Sequence, residues 1–207
     1  MPLVAPLHVS RALHRLAQRP CRSAGQLRAR HEALAILERE SLARPVFGYR
    51  IWPLRKAPAL AAMAHPGQRA VAAAACTLGA ALEARVGALF RTGRRLVALE
   101  LDAAGNELVY CLSRVALAAI GREAARGAMR MGNEVNPGDA GLALHWQEAV
   151  VALAAGNEHG VTATPAGMLW PLKSLSFIVP LGATLRASAG RRCSRCPSHD
   201  QCRATPG

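Results

Sequence analysis

Two strand-like segments near the C-terminal end constrain the fold more than any other feature of the sequence. Residues 160–164 (GVTAT) and 174–179 (SLSFIV) are rich in the β-branched and aromatic residues that favour strands. A loop with two prolines, residues 165–173, separates them. Because helical segments precede this unit, the sequence predicts an α+β fold, a twisted antiparallel sheet flanked by helices.

Apolar residues at helical spacing predict the helices of this fold. They cover residues 30–43, 80–89, 94–125 and 142–153. The first helix ends at Pro45, because the residue before a proline avoids helical backbone angles. A further strand is expected at residues 46–52. Gly105 lies inside the long helix at a cost of about 1 kcal/mol relative to alanine, which indicates that another backbone approaches it.

The positive charge is concentrated at the two ends of the chain. The 207 residues have a formal net charge of +13. Residues 1–56 contain eleven Lys and Arg residues and three acidic residues. Residues 57–186 contain eleven Lys and Arg residues and nine acidic residues. A nucleic-acid-binding protein usually has its basic surface on the folded domain, together with aromatic side chains. Peripheral charge and an aromatic content of 4% therefore argue against a nucleic-acid partner.

These differences in composition predict three regions. Residues 1–56 form a basic, partly helical N-terminal segment, residues 57–186 a nearly neutral domain, and residues 187–207 a cysteine-rich tail. Six arginines and no acid precede Glu32, a composition typical of transit peptides and also of arginine-rich terminal helices, which we favour here. No apolar run approaches the ~18–20 residues that cross a membrane, so we expect a cytoplasmic protein without a membrane partner.

The clearest chemical signal is a cluster of three cysteines in the tail, Cys193, Cys196 and Cys202. Two cysteines separated by two residues can bring their thiolates to one metal, and the third adds another ligand. Pro197 follows the second cysteine, as proline does beside ligating cysteines in iron–sulfur sequences. Neighbouring arginines would stabilise the thiolates.

Three interpretations of this cluster are open. An iron–sulfur cluster is favoured over a zinc ion held by Cys193, Cys196, His199 and Cys202, because that spacing is tight for one tetrahedral site. A metal-free or disulfide-bonded tail is the third interpretation. The fourth ligand of an iron–sulfur cluster would be His199 or a cysteine of the body, for which the candidates are Cys21, Cys76 and Cys111. Cys111 also suits a small buried apolar position.

Several stretches, taken together, resemble a known family. They are residues 76–79 (CTLG), 81–90, 96–114, 133–139 (NEVNPGD) and 160–176 (GVTATPAGMLWPLKSLS). The last is the most specific, because it is similar to the signature G-(I/M)-x-L-T-x-S-x-x-M-x-P-x-x-S-x-S. Residues 75–182 thereby resemble the activation domain of vitamin B12-dependent methionine synthase, and more closely its short stand-alone bacterial relatives, some of which have a similar cysteine cluster.

The resemblance implies an α+β domain that binds S-adenosylmethionine and docks on the cobalamin domain of a methyltransferase in methionine biosynthesis. It implies a part in reductive methylation, in which an electron donor and S-adenosylmethionine together restore inert cob(II)alamin. The implied partners are a corrinoid methyltransferase and an electron donor, and cobalamin would be met only through the partner. Since the sequence has no phosphate-binding loop, serine elbow or nucleophile–base pair, we expect an accessory protein rather than an independent enzyme.

The family's S-adenosylmethionine loop, R-x-x-P-G-Y, matches residues 134–139, in which Glu134 replaces the arginine and Asp139 the tyrosine. Arginine would grip the ligand's carboxylate, whereas glutamate would repel it. A sulfonium would instead be attracted by an acidic side chain. The resemblance thus gives five candidate ligand residues, Glu107, Glu134, Pro137, Gly138 and Asp139. The alternative is a partner- or metal-binding module that has lost S-adenosylmethionine binding.

Overall fold

The computed structural model describes residues 3–4, 16–57 and 66–187. Its α-helices of seven or more residues are α1 (Ala24–Arg39), α2 (Ala81–Arg91), α3 (Arg95–Arg126) and α4 (Gln147–Leu153). Its strands are β1 (Leu3–Val4), β2 (Val46–Pro53), β3 (Ala70–Thr77), β4 (Arg130–Met131), β5 (Thr162–Ala163), β6 (Leu169–Trp170) and β7 (Ser174–Gly182). Short 3-10 turns occur at Leu54–Lys56, Leu144–Trp146 and Gly156–His159.

Five strands form one antiparallel sheet in the order β1-β2-β3-β7-β4. The central strand β3 pairs along its whole length with both neighbours. Its Ala70 lies opposite Pro53 of β2 and Leu181 of β7, and its Thr77 lies opposite Val46 and Ser174. Helices cover the sheet, which confirms the predicted α+β class with an antiparallel sheet.

Strand β3 consists mainly of alanine and is buried over all eight residues. One set of alternate residues packs into the core beneath α1, α2 and α3, and the other packs into the core beneath α4. Alanine has a weak strand preference, so the pattern of residues 70–76 does not by itself predict a strand. Its small side chain allows the helices to approach the sheet closely on both faces.

The two predicted strand segments, residues 160–164 and 174–179, do not pair with each other. Strand β7 pairs with β3, whereas the two residues of β5 pair with β6, Thr162 opposite Trp170. The chain reverses within a tight turn in which Gly167 has φ +79° and donates its N–H to the carbonyl of Thr164 at 2.8 Å. The predicted loop therefore contains a small hairpin of its own.

Residues preceding position 57 contribute to the same core as the later ones. Leu16 is buried with α1 residues such as Ala33 and Ile36, and β2 belongs to the main sheet. Arg30 of α1 is also buried, with 3% of its surface exposed. The domain boundaries at residues 56 and 186 stay predictions.

Helix α3 is 32 residues long and is the one helix in the described ranges whose length and hydropathy would suit a membrane span. More than half of its most apolar window, 56%, is buried inside the fold. Helices α1 and α2 and strands β2 and β3 pack on it. This burial is typical of the core helix of a folded domain.

Gly105 in α3 is approached by side chains, so the predicted approach of a second backbone is wrong. A Cβ atom at this position would lie 2.9 Å from Cδ2 of Leu82 and 3.2 Å from Cε of Lys173. The glycine thus leaves room for the buried Lys173, whose Nζ lies 2.6 Å from Oδ1 of Asp102 and 2.9 Å from Oδ1 of Asn106.

Candidate functional site

The loop that contains Glu134 runs as an irregular continuation of β4 along the edge of β7. Gly132 donates its N–H to the carbonyl of Pro180 at 2.8 Å, and Val135 and Ile178 exchange two backbone hydrogen bonds of 2.9 Å. Glu134 lies half-buried between these two anchors. The sheet therefore fixes the backbone at the position where the family pattern has arginine.

Asp139 closes the turn that follows. Its Oδ2 accepts hydrogen bonds from the backbone N–H of Asn136 at 2.9 Å and from Nδ2 of the same residue at 2.6 Å. Gly138 adopts φ +98°, a left-handed conformation that glycine tolerates, and donates its N–H to the carbonyl of Leu142 at 2.7 Å. The Asp139 carboxylate thus stabilises its own turn, as aspartate commonly does.

Leu144 joins this turn to the hairpin at residues 164–170. Its Cδ1 would lie 3.8 Å from a Cβ at Gly138, and its Cγ would lie 2.8 Å from a Cβ at Gly167. Leu144 thus lies against both loops, and at Gly167 the absence of a Cβ makes room for it. The candidate ligand loop and the hairpin are brought together, although 26 residues separate Asn136 from Thr162 in the sequence.

Four apolar side chains stand exposed around this junction and form what we call the apolar surface. They are Leu144 (47% exposed), Met168 (56%), Trp170 (53%) and Leu172 (51%). The last three lie within five consecutive residues of the chain, 168–172, which follow the turn at Gly167. Clustered apolar exposure of this kind commonly marks an interaction surface.

Glu83 is the functional candidate that sequence reasoning missed. Its Oε2 accepts the backbone N–H of Leu172 at 2.6 Å, which fixes the end of the apolar surface to the first turn of α2. Its Oε1 is buried and has no hydrogen-bond partner in the part of the chain that the structure describes. Because 89 residues separate the two partners, no local pattern could have revealed the contact.

Glu107, the remaining acidic candidate, lies on α3 and forms an ion pair with Arg19. Its side chain is 12% exposed. An arginine therefore already provides a counter-charge for this carboxylate. Its proposed role in attracting a sulfonium stays a prediction.

The cysteine cluster, Cys193, Cys196 and Cys202, lies outside the described residues. Among the described cysteines, Cys76 and Cys111 are buried and Cys21 is half-buried, and none forms a disulfide. No group of three or more His, Cys, Asp or Glu suited to a metal ion occurs within residues 3–4, 16–57 and 66–187. The metal site and its fourth ligand stay predictions.

Comparison with solved structures identifies a similar fold. The crystal structure of the MetH reactivation domain bound to AdoHcy matches with a TM-score of 0.60 over 87% of this chain and 73% of that chain. The two sequences are 14% identical over this match. The chain has the fold of that domain. No family model matches the sequence, and no curated protein matches it.

Proposed function

We propose that this protein is an accessory protein that docks on a cobalamin-dependent methyltransferase and assists its reductive reactivation. The fold shared with the MetH reactivation domain supports this proposal. The main structural observation behind it is the apolar surface, which leaves three large side chains, Met168, Trp170 and Leu172, about half-exposed. Aromatic residues and methionine are enriched in protein interfaces.

The candidate ligand loop does not fit the carboxylate of S-adenosylmethionine. Glu134 would repel that carboxylate, and Oδ2 of Asp139 is engaged by Asn136. We therefore propose that the folded body supplies shape and docking, and that holding the methyl donor is not its main contribution. S-adenosylmethionine would supply a methyl group from its sulfonium wherever it is bound.

The redox part of the proposal rests on the tail. Cys193, Cys196 and Cys202 would hold an iron–sulfur cluster, which would supply single electrons. The test is anaerobic reconstitution of the full chain with iron and sulfide. We expect visible absorption that is lost in Cys193→Ser and Cys196→Ser but kept in Ser194→Ala, a control between the two ligands. Absence of iron and acid-labile sulfide, or equal absorption in all variants, would contradict the electron-transfer role.

Docking is tested with a cobalamin-dependent methionine synthase that lacks its own activation domain. We expect the full chain to form a complex with it by analytical ultracentrifugation. Trp170→Ser should weaken that complex by about tenfold or more, since a buried aromatic anchor contributes at least ~1.4 kcal/mol. Phe90→Ser, which alters an exposed aromatic residue on α2 (43% exposed), is the matched control. No complex, or equal weakening by both variants, would contradict the docking role.

The second candidate function is a partner- or metal-binding module without a methyl-donor site. The use of Asp139 within its own turn favours this alternative. Calorimetry with AdoHcy separates the candidates in part. Tight binding that is weakened by substitutions in residues 134–139 would support a ligand role for the loop. No binding would leave docking by the folded body and metal binding by the tail as the functions of the protein.

A further inference from the structure

A cleft between the N-terminal ends of α1 and α3 is unrelated to the loop and the apolar surface described above. It has a volume of about 540 Å³, and three of its nine lining residues are arginines, Arg28, Arg94 and Arg95. We call it the arginine cleft. It is shallow and open to solvent, with exposed arginines, and its volume lies within the range of small-molecule sites, roughly 300–1,000 Å³.

The charges in the arginine cleft are not balanced. Glu32 is the one acidic residue that lines it in the described structure, and this carboxylate forms an ion pair with Arg94. Neither Arg28 nor Arg95 has an acidic partner within ion-pair distance among the described residues. Two of the arginines that line the cleft therefore have no counter-ion within the described part of the chain.

The start of α3 adds to this positive potential. Arg94 occupies the N-cap position, where its side chain makes no capping hydrogen bond, and no acidic residue lies in the first turn. Helices normally begin with a polar cap and acidic residues, because the first backbone N–H groups lack helical partners and the dipole is positive there. Arg95, which has no acidic partner among the described residues, is thus electrostatically unfavourable at this position unless an anion binds. Residues that are electrostatically unfavourable in their local structure are expected at functional sites.

We infer that the arginine cleft binds the phosphate group of a phosphorylated ligand. Guanidinium groups bind phosphate in a bidentate manner, and the first N–H groups of a helix add further donors. The adjoining Ala29, Leu96 and Val97 give the cleft an apolar wall against which the organic part of the ligand would lie. A soluble phosphate monoester and a phospholipid headgroup share this chemistry, and the probes below distinguish them.

The test uses the full chain with three probes: inorganic phosphate, adenosine 5′-monophosphate, and phosphatidylcholine vesicles with or without phosphatidic acid. Binding is measured by calorimetry for the small anions and by co-sedimentation for vesicles. Arg28→Gln and Arg95→Gln should each weaken binding by about tenfold to hundredfold, the effect of losing one hydrogen bond to a charged group. Arg126→Gln, at the opposite end of α3, is the matched control and should bind normally.

Glu32→Gln provides the reciprocal test, because it releases Arg94 from its ion pair. We expect tighter binding by this variant, a gain of affinity that a folding defect could not produce. If the arginine variants weaken and Glu32→Gln strengthens the binding of a small anion, the ligand is a soluble phosphate. If these effects occur only with phosphatidic-acid vesicles, the ligand is a phospholipid headgroup. No binding of any probe, or equal weakening by Arg126→Gln, would overturn the inference.

Discussion

Arg30 and Glu100 form a buried ion pair that joins α1 to α3, with Nε of the arginine 2.8 Å from Oε2 of the glutamate. The side chains are 3% and 9% exposed. Arg30 also donates through Nη1 to the carbonyls of Leu16 at 3.0 Å and Arg19 at 2.6 Å. The pair thereby attaches residues 16–19 to the helical layer.

Glu100→Gln should lower the free energy of unfolding by about 3–5 kcal/mol, because it leaves the buried Arg30 charge without a counter-ion. Urea denaturation followed by circular dichroism measures this loss. The matched control is Glu158→Gln, which breaks an exposed pair with Arg50 whose side chains are 48% and 64% exposed. That variant should change stability by no more than about 1 kcal/mol. Equal effects of the two variants would show that burial does not determine the strength of the first pair.

Gly105→Ala should destabilise the fold by up to roughly 2 kcal/mol. The better helix propensity of alanine is worth about 1 kcal/mol, but the new Cβ would lie 2.9 Å from Leu82, which is fully buried, and overpacking typically costs about 1–3 kcal/mol. Gly87→Ala in α2 is the control, because its Cβ would meet its nearest neighbour, Nη1 of Arg91, at 3.4 Å. It should stabilise by about 0.5–1 kcal/mol. Thermal or urea unfolding of both variants decides whether packing outweighs propensity.

The presence of the helices could be predicted from the sequence because each presents an apolar stripe to a core, but the predicted bounds 30–43 and 142–153 differ from those of α1 (Ala24–Arg39) and α4 (Gln147–Leu153). The 32-residue span of α3 agrees closely with the predicted 94–125. Strand β3 could not be predicted, because its alanines have no periodicity that separates a strand from a helix and its stability comes from tertiary burial. The pairing of β5 with β6 could not be predicted, because it depends on a tight turn in which Gly167 adopts the left-handed conformation. The hydrophobic pattern of residues 160–179 does not indicate that turn.

The candidate site could be predicted only where the family pattern is local in sequence. Residues 134–139 were found that way, and the structure adds that Asp139 binds Asn136. The role of Glu83 depends on a contact with Leu172 across 89 residues. The arginine cleft likewise combines residues from α1 and from the turn before α3. Such combinations follow from the packing of helices, which no sequence motif records.

The pKa of Tyr49 is raised from 10.0 to about 12 by burial and by its hydrogen bond to the Glu123 carboxylate, whose Oε2 accepts at 2.7 Å. Because the folded state keeps the phenol proton more strongly than the unfolded state, this contribution to stability is complete below pH 10. It is lost as the pH rises from 10 to about 12. Tyr49→Phe should remove that part of the alkaline pH dependence.

The two tyrosines of the chain make this pKa directly measurable. In a Tyr110→Phe background, phenolate absorbance reports Tyr49 alone, and we expect a midpoint near 12. Glu123→Gln should move the midpoint down toward 10.0, because it removes the charged acceptor while the burial remains. A midpoint at 10.0 in the background variant would contradict the hydrogen bond. An unchanged midpoint in Glu123→Gln would assign the whole shift to burial.

Gly48 of β2 supports the imidazole of His159, since a Cβ at position 48 would lie 1.9 Å from Nε2. Nδ1 of the same ring is buried and has no hydrogen-bond partner in the described structure. Gly48→Ala must therefore displace the ring, and we expect a loss of about 1–3 kcal/mol in the free energy of unfolding. His159→Ala removes the clashing atoms, so the double variant should recover most of that loss, with a coupling energy of about 0.5–3 kcal/mol in a double-mutant cycle. Additive effects of the two substitutions in urea denaturation would mean that the ring does not rest on Gly48.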